Sequence, residues 1–201
     1  MQIVDRPSPN FGQRKNGATP DMIILHYTGM ETAEAALDRL CDPGPEVSAH
    51  YLICERGLIY RLVAETARAW HAGQSYWQGD RDINSRSIGI ELANPGPLEG
   101  YPPFPAAQMT ALEDLIAEIR TRWPVEGRVL GHSDVAPGRK VDPGPKFDWR
   151  RVAGDDGLAF AHEGKAPDDA ALVRFGYDPD VSADARLAAF RLRFGQGSCR
   201  N

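Results

Sequence analysis

The sequence predicts an α/β fold: a central mixed β-sheet flanked by helices, with a short helical C-terminal extension. Three observations carry this. Apolar runs of strand length alternate with segments of helical period over roughly residues 1–150, the pattern of an α/β domain. Gly/Pro-rich or polar stretches separate them. Beyond that point the composition changes, and two short helical patterns close the chain.

Taken in order, DMIILHYTG (21–29) reads as a buried strand stopping at a loop. TAEAALDRLC (32–41) places Ala36, Leu37, Leu40 and Cys41 at helical spacing, with Thr32 as N-cap, and ends at Asp42-Pro43-Gly44-Pro45. Residues 48–63 read as two strands joined at Glu55-Arg56-Gly57. RSIGIELAN (86–94) is a further strand, in which Ile88, Ile90 and Leu92 alternate with Ser87, Gly89 and Glu91. NPGPLEGYPPFP (94–105) is a long loop that excludes helix. The clearest helix spans 106–123, with Met109, Leu112, Leu115, Ile116 and Ile119 in one stripe and Pro124 ending it. Residues 127–149 begin as a strand and become a second Gly/Pro-rich loop. Residues 152–167 read as a linker, and 168–177 and 182–194 as two short helices. The expected division is a domain over 1–160 and a linker-plus-helices segment over 161–201, with the boundary near 160–167.

Composition narrows the function. Lys and Arg number 23 against 28 Asp and Glu, a net charge of −5 without any basic cluster, which argues against nucleic acid as the main ligand. No apolar run reaches the ~18 residues of a membrane span. The start, MQIVDRPSPNFG, lacks the basic and apolar regions of a secretory signal, so a cytoplasmic protein is expected. Cys41, Cys54 and Cys199 form no CxxC pair, which disfavours a thiolate metal site. Reduced thiols are expected, a Cys41–Cys54 disulfide being the alternative.

Two histidines stand where a strand gives way to a Gly-containing loop: His26 before Thr28-Gly29, and His132 after Gly131. The loop after His132 also carries Asp142. Two imidazoles and a carboxylate suit Zn²⁺ and leave a fourth position for water or substrate. The spacing alone leaves the alternative open, a buried His26 and an unrelated loop His132. Glu91 falls on the small-residue face of its strand, where a substrate could approach; a salt bridge to Arg86 or Arg81 is the other reading. Lys140, two residues before Asp142, would set an ammonium beside the site if the loop is extended, suited to an oxyanion; otherwise it is a solvated lysine.

Together, MIILHYTG, SAHYLI, AWHAG, SIGIELAN and GHSDVAPGRKVDPGPKFDW, in this order, resemble the zinc N-acetylmuramoyl-L-alanine amidases, which share a fold with the peptidoglycan recognition proteins. The resemblance covers residues 2–150. It implies His26, His132 and Asp142 as zinc ligands, Glu91 as the catalytic glutamate and Lys140 as the lysine before the last ligand. His50 matches a structural position and His71 a non-ligand position near the groove, read as a substrate contact; His162 has no counterpart. The implied reaction cleaves the amide between N-acetylmuramic acid and L-Ala of the stem peptide; with no secretory signal seen, the expected substrates are the 1,6-anhydro-muropeptides of cell-wall recycling, and a monomer is expected. The alternatives are a periplasmic or extracellular amidase acting on intact wall and a non-catalytic peptidoglycan-binding protein. The segments 171–178 and 186–194 resemble the first two helices of a peptidoglycan-binding module. Groove walls are expected from 73–86 and 94–105, with Trp77 and Tyr76 stacking on substrate and Arg81 or Arg86 binding a carboxylate.

Overall fold

In the computed structural model, which describes residues 2–125, 128–152 and 167–195, six strands form the main sheet. They are β1 (Ile3–Asp5), β3 (Met22–Tyr27), β4 (Tyr51–Ile53), β5 (Ile59–Arg61), β7 (Ser87–Leu92) and β8 (Val129–Gly131), in the order β1-β5-β4-β7-β3-β8. Only the β4–β5 hairpin pairs antiparallel, so the sheet is mixed, as expected. Gly57 closes that hairpin turn at φ 81°, a conformation that favours glycine. A second, two-stranded antiparallel sheet joins β2 (Phe11–Gln13) to β6 (Ala67–Ala69).

The helices are α1 (Ala33–Cys41), the single turn α2 (Ile83–Arg86), α3 (Ala106–Arg122), the single turn α4 (His132–Val135), α5 (Asp169–Phe175) and α6 (Ala183–Phe194). Thr32 caps α1 by accepting from the Ala35 N–H at 3.1 Å, as its sequence position predicts. The loop 94–105 departs from expectation in one detail, a 3₁₀ turn over Gly96–Glu99. The linker expected at 152–167 lies almost entirely outside the described residues, as do the domain boundary, His162 and Cys199. Cys41 and Cys54 are free thiols.

Alternation along β3 and β7 sorts the sheet's two faces. Ile23, Leu25, Ile88, Ile90 and Leu92 meet the α3 stripe of Met109, Leu112, Leu115, Ile116 and Ile119, and this is the largest core. The opposite face carries Met22 and Ile24 and is covered at that end by Leu172, Tyr177, Ala189 and Phe190 from the C-terminal segment. Next to it, Leu52 packs under Leu37 and Leu40 of α1. Polar contacts fasten the C-terminal cover. Tyr177 donates to the buried Asp134 at 2.6 Å, Arg193 pairs with the same carboxylate, and Arg81 pairs with Asp178 and Asp180. Replacing Phe190, 6% exposed, by alanine is expected to lower the unfolding free energy by about 3–5 kcal/mol. Urea titration reads this; a change within about 0.5 kcal/mol, typical of surface positions, would mean that the helices do not support the sheet.

Candidate metal centre

The pairing of β3 sets the site. His26 on β3 stands in register with Glu91 on the parallel neighbour β7, so both side chains leave the same face near the strands' carboxyl ends. On the other flank β8 ends at Gly131, and His132 opens α4 directly after it. The Asp134 carboxylate accepts from the Gly131 N–H at 2.8 Å, and the Ser133 N–H donates to the Asp142 carbonyl at 3.0 Å. The first caps α4, and the second holds the loop carrying Asp142 back over it. Three distant segments are thereby brought together.

His26 Nδ1 and His132 Nδ1 lie 2.9 Å apart, and each is 3.0 Å from Asp142 Oδ2. All three side chains are buried, and they form a group able to hold a metal ion. Burial, reinforced by His132, lowers the His26 pKa to about 4, so its imidazole is neutral near pH 7 and offers a lone pair. Burial would raise the Asp142 pKa, but the adjacent His132 and His26 outweigh it and keep the carboxyl ionised well below its usual range. Two nitrogens and one carboxylate oxygen converging from a buried wall fit a divalent transition ion with an open position.

Glu91 makes neither of the salt bridges considered for it. Arg86 is engaged by Asp21 and Asp80, and Arg81 by Asp178 and Asp180. Glu91 Oε2 is shielded from water and has no hydrogen-bond partner among the described residues. Burial and the nearby Asp142 anion push this carboxyl well above its ordinary pKa, while Lys140 pulls the other way. A carboxyl held in this way is suited to exchanging protons. Lys140 is exposed and lines the same cavity as Glu91 and the three-residue cluster.

That cavity, about 440 Å³, differs from the predicted groove. Its walls come from α1 (Ala36, Arg39, Leu40), from Val47, Ser48 and Trp70, and from 139–142. Residues of 94–105 do not line it; they stand behind Tyr27, where Gly96 leaves room that a β-carbon would close to 2.8 Å. Trp77 cannot stack on a ligand, because it is 2% exposed and packs edge-on against Phe175 and Tyr177. Tyr76 lies under the Arg81 guanidinium at 4.9 Å. Arg81 and Arg86 spend their charge inside the protein, as described. Arg39, Arg139 and Lys140 also line the wall, and none of the three has an ion-pair partner among the described residues.

The other two histidines among the described residues are engaged by the protein. His50 is fully buried; its Nδ1 accepts from the Gly89 N–H at 2.9 Å and its Nε2 donates to the Ala67 carbonyl at 3.2 Å, consistent with a structural role. Burial, with Arg14 alongside, lowers its pKa to about 3 and keeps it neutral. His71 lines the cavity but uses both ring nitrogens on protein groups, Nδ1 at 3.0 Å from His26 Nε2 and Nε2 at 3.2 Å from Ser87 Oγ. Its ring rests on Gly89, where a β-carbon would meet Cγ at 2.5 Å. Sequence reasoning missed these contacts; the Gly within SIGIEL was the signal available.

The profile of the family described as N-acetylmuramoyl-L-alanine amidase matches residues 16–145. The N-acetylmuramoyl-L-alanine amidase AmiD of Escherichia coli is 35% identical, over 86% of this chain and 74% of its own. The 1,6-anhydro-N-acetylmuramyl-L-alanine amidase AmpD of Haemophilus influenzae is 34% identical, over 72% of this chain and 86% of its own. Among solved structures, E. coli AmiD in complex with anhydro-N-acetylmuramic acid-L-Ala-D-γ-Glu-L-Lys superposes with a TM-score of 0.72 at 34% identity, covering 90% of this chain and 84% of that one. AmpDh3 of Pseudomonas aeruginosa with anhydromuramic pentapeptide gives 0.72 at 32%, covering 94% and 87%.

Proposed function

The chain belongs to the N-acetylmuramoyl-L-alanine amidase family, and from that premise we propose that it hydrolyses the lactyl–L-alanine amide of 1,6-anhydro-muropeptides in cell-wall recycling. The observation that carries this reading is the convergence of His26, His132 and Asp142 in one cavity with Glu91 in register beside His26. A zinc ion held by those three residues would supply Lewis acidity, polarising the scissile carbonyl and acidifying the attacking water.

The chain's own groups do the rest. Glu91, poised by burial to hold or release a proton, takes one from the attacking water. It passes a proton to the alanine nitrogen as the C–N bond breaks, so the peptide leaves as an amine and the lactyl group as a carboxylate. The Lys140 ammonium stabilises the oxyanion of the tetrahedral intermediate. Arg39, Arg139 and Lys140 give the cavity wall a cationic character that suits the carboxylates of a stem peptide. All of these groups come from one chain, so a monomer suffices.

The C-terminal helices read best as part of the catalytic unit rather than as a separate wall-binding module. Their apolar faces are spent on Met22, Ile24 and Leu130 of the sheet. Among the described residues no helix is long and apolar enough to cross a membrane.

Substrate choice is tested by incubating the zinc-loaded protein with soluble anhydro-muramyl tripeptide and with whole sacculi, products being read by mass spectrometry. The expected result is free tripeptide with a new L-alanine amine from the soluble substrate. Activity on sacculi alone would replace recycling by cleavage of intact wall. Inactivity on both would leave a peptidoglycan-binding role.

A further inference from the structure

We propose that Ser87 and Asn84, acting through His71 and Ala72, fix which nitrogen of each metal-binding histidine carries its proton, which makes His71 a positioning residue for His26. This rests on the reading of His26, His132 and Asp142 as metal ligands.

The chain of bonds starts from a group that cannot donate. The Ile83 carbonyl lies 2.7 Å from Ser87 Oγ, so the single hydroxyl proton of Ser87 goes there. Ser87 Oγ then faces His71 Nε2, 3.2 Å away, as an acceptor, and His71 must carry its proton on Nε2. His71 Nδ1 is left bare and accepts from His26 Nε2 at 3.0 Å. With its proton on Nε2, neutral His26 presents a bare Nδ1 to the cluster. A second branch does the same for His132, whose Nε2 donates to the Ala72 carbonyl at 3.0 Å. Arg139 Nη2 approaches that nitrogen to 3.4 Å but gives its protons to the Ala72 and Gln74 carbonyls.

Both branches have one root. Asn84 Oδ1 accepts from the backbone N–H groups of His71, at 3.1 Å, and Ala72, at 2.9 Å. A single short segment, α2 with the first residue of β7, thus holds the dipeptide that holds both imidazoles. The outcome is two bare nitrogens and a carboxylate oxygen facing one another at 2.9–3.0 Å with no proton assigned between them. The two lone pairs and the carboxylate oxygen are thereby aimed at one point, the arrangement that a metal ion needs from its ligands.

The test measures zinc dissociation constants by chelator competition on folded protein. Wild type should bind one zinc tightly. Ser87→Ala and His71→Ala should each weaken binding by about tenfold to a hundredfold. His71→Asn, whose Oδ1 can stand where Nδ1 stood, should recover most of the loss. Nitrogen NMR of the zinc-loaded protein should show His26 protonated at Nε2. If His71→Ala does not fold, Ser87→Ala, the loss of one buried oxygen, carries the test. A wild type that binds no zinc would remove the ligand reading itself. Tight wild-type binding with unchanged Ser87→Ala and His71→Ala affinities and an Nδ1-protonated His26 would overturn the relay alone. So would a His71→Asn variant as weak as His71→Ala, because packing rather than an acceptor would then be at work.

Discussion

Glu91→Gln protein is expected to retain its zinc and to lose about 10²–10⁴-fold in kcat, the usual worth of a positioned general acid–base. The substitution keeps the shape of the side chain and its place beside His26 on β7, and removes the ability to exchange a proton. Because Oε2 has no hydrogen-bond partner among the described residues, the amide breaks no bond there, and stability should change little. The pair of readouts is zinc content by elemental analysis and steady-state turnover on anhydro-muramyl tripeptide. A zinc-loaded Glu91→Gln enzyme with wild-type kcat would remove Glu91 from the mechanism.

The complementary result is expected from His132→Ala: metal lost, and activity gone with it. Three donor atoms meet at 2.9–3.0 Å, and two do not hold a divalent ion firmly against dialysis. The truncation also leaves a cavity and strips the Ala72 carbonyl of the imidazole proton, although Arg139 still serves that oxygen. A folded but metal-free protein is therefore expected, recognised by a cooperative unfolding curve together with substoichiometric zinc. A fully loaded His132→Ala protein would move the metal site elsewhere.

Much of this was legible in the sequence because the signals are local. The β3 run ending in His26, the alternation that puts Glu91 with Ser87 and Gly89, and the α3 stripe all follow from period and burial over a few neighbouring residues. The pattern GHSDVAPGRKVDPG then tied His132, Lys140 and Asp142 to a family, which spacing alone could not do. What escaped depends on contacts distant in sequence. Trp77 reads as a surface aromatic until Phe175 and Tyr177, about a hundred residues later, close over it. Arg81 and Arg86 read as free cations until Asp178 and Asp21 claim them. The strands β1, β2 and β6 are three residues each, too short for any period to register. The four-residue turn α2 vanished for the same reason within a polar stretch read as a groove wall.

Gly89 extends the genetic target of the enzyme beyond its reacting groups. It has nothing to ionise and no side chain to touch a substrate, yet a β-carbon there would drive into the His71 ring at 2.5 Å. A single codon change that adds one methyl group at Gly89 thus displaces the imidazole that steadies His26. The enzyme's vulnerability to inherited change is set as much by a space kept vacant as by the atoms that do the chemistry.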